Sequence, residues 1–241
     1  MRYKQTVIGV AWAVIRPLLT IVVFSIFRSL LDNTGELAKS IMFTAAATLP
    51  WQLFSSALNE SSNSLIANSN LITKVYFPRL IIPLSTVIVC LIDFLITLVI
   101  VIGVMAYYHT APDIKIFLLP LFLMLALFSS IGAGVFLSAL NVKYRDFRYI
   151  VPFIIQLGLY ISPVAFSSEL IWKKDIPEAV KVLYCFNPMV GVIDGFQWCL
   201  FGTAIPENWL SVKISCAVTL VMLIIGTWYF RRVEKNFADI I

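Results

Sequence analysis

The feature that most constrains this chain is a series of apolar runs, each about twenty residues or longer, separated by short charged loops. Runs of that length are too long for strands and too uniformly apolar for the helices of a soluble core. In hydrocarbon every backbone amide must be satisfied within the segment, so such runs read as transmembrane helices. Composition agrees: 60% of the residues are hydrophobic and 13% are charged, against about 25% charged in soluble domains. The expected fold class is an all-α integral membrane protein with one transmembrane domain over residues 1–241. A net charge of +5 is what cytoplasmic membrane loops supply, so no nucleic-acid partner is expected. The opening MRYKQT precedes an apolar run with no small-residue cleavage site, so no cleaved signal peptide is expected.

Six spans are expected, over about residues 12–31, 41–66, 80–107, 116–140, 150–167 and 212–230. Pro17 suits the first turn of a helix, which places Thr6–Ile15 at the interface or on an oblique approach. Between the second and third spans lies a knob over residues 70–79. Asn68, Ser69 and Asn70 can cap its start, and Pro78 limits it to about two turns. Lys74 and Arg79 form a basic rim around Tyr76 and Phe77. Residues 168–210 form the longest non-spanning segment. Within it, 183–202 is apolar enough for a further span, but Pro188, Gly191, Asp194 and Gly195 interrupt it. A re-entrant or interfacial helix pair suits it better.

Charge orients the chain. The N-terminus, the knob, the NVKYRDFRY loop and the tail gather Arg2, Lys4, Lys74, Arg79, Lys143, Arg145, Arg148, Arg231, Arg232 and Lys235. The opposite loops dilute their lysines with Asp32, Glu36, Asp113, Glu169, Asp175, Glu178 and Glu207. The positive-inside rule makes the first group cytoplasmic, and six spans return both termini to that side.

Polar groups inside the spans are few. Gln52, Ser56, Asn59 and Asn63 share one helical face. That face either glues helices together or lines a pore. Asp93 lies near the middle of the third span, where a structural pair or hydrogen bond is favoured over a proton relay. Arg16 is intramembrane as well, with Glu60 or Asp93 as its expected partner. Cys185 and Cys199 leave a disulfide open as an option. No Cys/His cluster has metal-ligand spacing, and no phosphate-binding glycine loop is present, so neither a metal nor ATP is expected on this chain. The chain is expected not to be an enzyme; a transporter built this way takes its energy from another protein.

The stretches RYKQTVIGVAW, LPWQLFSSALNESSNSLIANSNLITKVYFPRLIIP, LNVKYRDFRYIVPF, SPVAF, NPMVGVIDGF and YFRRVEKNFADII resemble the permease subunits of bacterial polysaccharide exporters of the type 2 ABC class. The resemblance covers essentially the whole chain. It implies a homodimer with two separate ATP-binding-cassette subunits, which hold the ATP and magnesium, in the bacterial inner membrane. The implied cargo is an undecaprenyl-linked polysaccharide, O-antigen first. Teichoic acid, capsule, a drug or a small lipid is the alternative cargo, and a non-transport protein of glycan assembly is a rival class. On this resemblance Leu71, Ile72, Thr73, Lys74, Val75, Tyr76, Phe77, Pro78 and Arg79 look like an ATPase-coupling helix. Arg145 and Asp146 look like a second cytoplasmic contact or a structural pair. Asn187, Pro188, Gly191, Asp194 and Gly195 look like part of an outward gate. Phe24, Phe27, Trp51, Phe54, Tyr160 and Phe166 are candidates to line the glycan path, because aromatic faces hold sugars without fixing one sequence; ordinary helix packing is the alternative for each. Members of the family usually carry an amphipathic segment ahead of a stretch like RYKQ, and the present sequence opens almost at that stretch.

Overall fold

The computed structural model describes residues 7–31, 37–74, 77–111, 113–173, 176–203 and 209–237. Every regular element among them is helical. In chain order these are α1 (Val7–Leu31), α2 (Leu37–Ala67), α3 (Ser69–Lys74), α4 (Ile81–Tyr107), α5 (Leu119–Lys143), α6 (Phe147–Ile161), α7 (Ser168–Lys173), α8 (Glu178–Cys185), α9 (Pro188–Phe201) and α10 (Leu210–Val233). Short 3-10 turns cover Ile114–Leu118 and Glu234–Asn236.

Helix α2 is the axis of the bundle, packing against α1, α4, α5, α6 and α9. Its sequence explains this role, because small residues let neighbours approach closely where lipid offers no hydrophobic driving force between helices. Ala45, Ala46, Ala47, Ala57, Ser61 and Ser62 are all buried. A Cβ at Gly134 of α5 would collide with the Ser61 side chain, and one at Gly226 of α10 would collide with the backbone of Gly132 in α5. The outer faces of α4 and α10 carry exposed Ile88, Leu95, Val99, Leu220 and Ile224, as lipid-facing surfaces do.

Five helical stretches are long and apolar enough to cross a membrane: Val14–Leu31, Leu37–Ala67, Ile81–Tyr107, Ile114–Lys143 and Leu210–Val233. Helix α1 runs unbroken through Pro17. The expected span at 150–167 differs. Helix α6 has 15 residues, roughly 22 Å at 1.5 Å per residue, short of a hydrocarbon core of about 30 Å. It stops at Ser162, whose ψ of 151° is extended, as the residue before Pro163 is driven to be. Turns and bends over 162–167 lead into α7.

The expected gate segment resolves into α7, α8 and α9, with α8 and α9 meeting at 82° across a short break. That angle suits a re-entrant or broken pair. One expectation is corrected here: Gly191, Asp194 and Gly195 do not interrupt a helix, because α9 runs continuously through them. The two glycines serve close packing. A Cβ at Gly191 would strike the Ser211 backbone in α10, and one at Gly195 would enter the Phe122 ring of α5. Pro188 occupies the first helical turn, behind an Asn187 cap whose Oδ1 accepts from the Met189 amide at 3.0 Å. Cys185 and Cys199 are both free thiols, so no disulfide joins them.

Candidate functional site

Two ends of the bundle concentrate the candidate residues. The basic end holds α3, the turn between α5 and α6, and the end of α10. Helix α3 is six residues long, matching the expected short knob. The Asn68 side chain donates to the Ser64 carbonyl of α2 at 2.8 Å and so closes the preceding helix, while its carbonyl accepts from the Leu71 and Ile72 amides of α3.

The knob is amphipathic. Ile72 is 5% exposed and belongs to a buried apolar cluster with Leu65 of α2, Ile82 of α4, Val135, Ala139 and Val142 of α5, and Phe230 of α10. Phe77 is half-buried against the same cluster. Leu71, 50% exposed, and Lys74 point outward. Thr73 lies in the helix, Pro78 is exposed, and Val75 and Tyr76 fall outside the described residues. Arg79 is only half-exposed, which corrects the picture of a free basic rim. Its backbone amide donates to Glu234 Oε1 at 3.2 Å, its Nη1 donates to the Glu234 carbonyl, and its guanidinium sits 6.0 Å from the Phe237 ring centre. Phe237 is fully buried and meets Phe230 edge-on at 5.4 Å. The C-terminal segment therefore clasps the knob. Residues 155 positions apart make this contact, and no local pattern announces it.

Arg145 and Asp146 occupy the turn between α5 and α6, both exposed. Among the described residues no ion pair joins them. Arg145 instead lines a cavity of about 370 Å³ with Arg148, Tyr149, Ser69 and Asn141.

At the opposite end a buried polar cluster joins four helices. Asp194 of α9 is 5% exposed and accepts hydrogen bonds from Ser168 Oγ of α7 at 2.5 Å and Ser211 Oγ of α10 at 2.9 Å. Arg28 of α1, 4% exposed, acts electrostatically on that carboxylate and lies 5.1 Å from the Phe43 ring centre. Phe43 in turn meets Phe201 at 4.9 Å, and its carbonyl accepts from Gln197 Nε2 at 3.3 Å. Arg28 escaped the reading of the sequence because it sits near the end of its apolar run, where a surface position is the usual expectation. The other in-span charges are placed differently: Arg16 is exposed, whereas Glu60 and Asp93 are half-buried.

The polar face of α2 is partly resolved into helix–helix contacts. Thr97 Oγ1 of α4 donates to Gln52 Oε1 at 3.2 Å, and Asn141 Nδ2 of α5 donates to Asn63 Oδ1 at 3.2 Å. Of the six aromatic path candidates, Phe24 meets Phe27 at 6.5 Å and Tyr160 at 6.2 Å, a cluster bridging α1 and α6 with Phe27 and Tyr160 exposed. Trp51 meets Phe54 at 5.8 Å but is itself buried, its ring filling the space over Gly158. Phe166 stands apart, against Tyr184 at 6.4 Å.

A family model described as ABC-2 type transporter matches residues 1–201. The O-antigen export system permease protein RfbA of Klebsiella pneumoniae is 26% identical over 242 residues, covering 100% of this chain and 90% of the relative. RfbA of Myxococcus xanthus is 24% identical over 238 residues, covering 99% and 90%. The polysialic acid transport protein KpsM of Escherichia coli is 25% identical over 240 residues, covering 97% and 89%. With several long apolar helices, an amphipathic knob at the basic end and this match over most of its length, the chain is a multi-pass membrane protein that belongs to the ABC-2 type transporter family.

Proposed function

We propose that this protein is the membrane-spanning half of an ATP-driven exporter that moves an undecaprenyl-linked polysaccharide, O-antigen first, out of the cytoplasm across the bacterial inner membrane. The observation that carries the reading is the end-to-end similarity to O-antigen export permeases. Two copies of the chain enclose the path, and two ATP-binding-cassette subunits, which hold ATP and magnesium, drive it. The basic residues at one end support cytoplasmic termini.

The knob offers a physical route for that drive. An ATPase contact on Leu71 and Lys74 loads a helix whose buried Ile72 belongs to one apolar cluster with residues of α2, α4, α5 and α10. The Arg79–Glu234 clasp holds the knob to the segment that follows α10, so a push on one moves the other. At the far end α9 is seated on α2, α5 and α10 and acts as the outward gate. The exposed aromatics Phe27 and Tyr160 on α1 and α6 place a sugar-compatible surface where the second copy is expected to face.

The test is genetic and biochemical. Cells lacking this protein accumulate lipid-linked polysaccharide on the cytoplasmic face of the membrane, and a chain carrying an intact knob restores export. Absence of accumulation would overturn the reading. A second cargo is favoured by one observation, the similarity to a polysialic acid transport protein. The identity of the accumulated glycan, O-antigen or capsule, decides between them.

A further inference from the structure

The cavity at the basic end is not used by the knob. It opens between the start of α3 and the turn joining α5 to α6, and has a volume of about 370 Å³. Arg145 and Arg148 supply two positive charges to its lining, and no lining residue is acidic. Ser69 and Tyr149 add hydroxyl groups. Asn141, also in the lining, is fully buried. Its Nδ2 is committed to the Ser62 carbonyl at 2.9 Å and Asn63 Oδ1 at 3.2 Å, which ties this wall of the cavity to α2. Tyr149 and Ile150 begin an exposed apolar face of α6 that continues through Ile154, Leu157 and Ile161.

Guanidinium pairs match phosphate oxygens in charge and geometry. The apolar face of α6 matches a lipid chain. We infer that this cavity binds the phosphate end of a lipid, with the hydrocarbon chain lying along α6. The chemistry is shared by a polyprenyl diphosphate bearing a sugar and by an anionic bilayer phospholipid. Assignment to the cargo lipid rests on the export function proposed above. An acidic loop of the ATPase is the competing occupant, but it makes no use of the apolar face that adjoins the cavity.

The experiment uses the complex of this permease with its ATPase in phosphatidylcholine nanodiscs, with native mass spectrometry reading bound lipid. Polyprenyl diphosphate, polyprenol, phosphatidylglycerol and inorganic pyrophosphate are the probes. The expected result is binding of polyprenyl diphosphate that weakens about tenfold or more in the Arg145→Gln/Arg148→Gln double variant. Binding falls as salt rises, polyprenol is unaffected, and the Arg145→Lys/Arg148→Lys variant retains part of the affinity. Preference for polyprenyl diphosphate over phosphatidylglycerol assigns the cargo lipid; the reverse assigns a bilayer lipid to the same cavity. Three outcomes overturn the inference: equal lipid binding by the glutamine variant, pyrophosphate binding as tightly as the lipid, or loss of the ATPase as the sole change. If the wild-type complex retains phosphatidylglycerol through these arginines but ignores polyprenyl diphosphate, the export reading fails while the cavity stands.

Discussion

The two ends of this bundle hold their functional elements in opposite ways. At the basic end α3 is six residues long and buries little beyond Ile72 and part of Phe77, with its outer face left open. At the other end α9 is buried along nearly its whole length, from Pro188 to Leu200. It meets α10 at Gly191 and α5 at Gly195 with no room for a methyl group. The knob is held by a small apolar face and the Arg79–Glu234 contact. Helix α9 is held by backbone-level contact and a buried carboxylate. The proposed function assigns the lightly held end to the ATPase and the tightly held end to the gate.

The end that holds α9 predicts the largest effects. Asp194→Ala removes the buried acceptor for Ser168 and Ser211; a cost of about 3 kcal/mol is expected, at about 1.5 kcal/mol or more for each hydrogen bond to a charged group. Thermal unfolding of the purified protein checks it. A cycle with Arg28→Ala should give a double variant less destabilised than the sum of the singles, and simple additivity would break the proposed electrostatic link. Next in size, Gly191→Val should cost about 1–3 kcal/mol, because the Ser211 backbone cannot yield as a side chain would. Gly103→Val is the control, since no neighbouring atom lies within 4 Å of a Cβ there. Equal stability of the two variants would remove the claim that α9 is locked by close approach.

The knob predicts smaller changes in stability and larger ones in coupling. Glu234→Ala should cost only about 1 kcal/mol, since it removes one hydrogen bond to the Arg79 amide. ATPase co-purification should persist while export per ATP hydrolysed falls. Unchanged export in that variant would show that the clasp is a packing feature alone. Smallest in stability, Leu71→Ala should shift unfolding by less than about 0.5 kcal/mol because the side chain is half-exposed. Its effect should appear as weaker retention of the ATPase in pull-downs, and full retention would move the docking surface elsewhere.

Much of this arrangement is legible in local pattern. Long apolar runs announce α1, α2, α4, α5 and α10, and the charge distribution distinguishes the two ends. Pro78 limits the knob and Pro163 shortens α6, each by a steric rule that acts on the preceding residue. Local pattern misleads where a residue's role depends on what faces it. Gly191 and Gly195 look like helix breakers until α10 and α5 are seen against them. Arg79 looks like a free rim charge until the segment after α10 returns beside it.

Hydropathy and spacing, which act over a few turns of chain, therefore determined the class of this protein, its long helices and its short amphipathic knob. Only the tertiary structure decided that Arg28 rather than Arg16 is the buried cation, that α9 is a continuous seated helix, and that Arg145, Arg148 and Asn141 line one cavity. The reason is range. Segment formation follows from the free energy of placing a stretch in lipid, whereas burial, close approach and shared cavities arise when segments distant in sequence pack side by side.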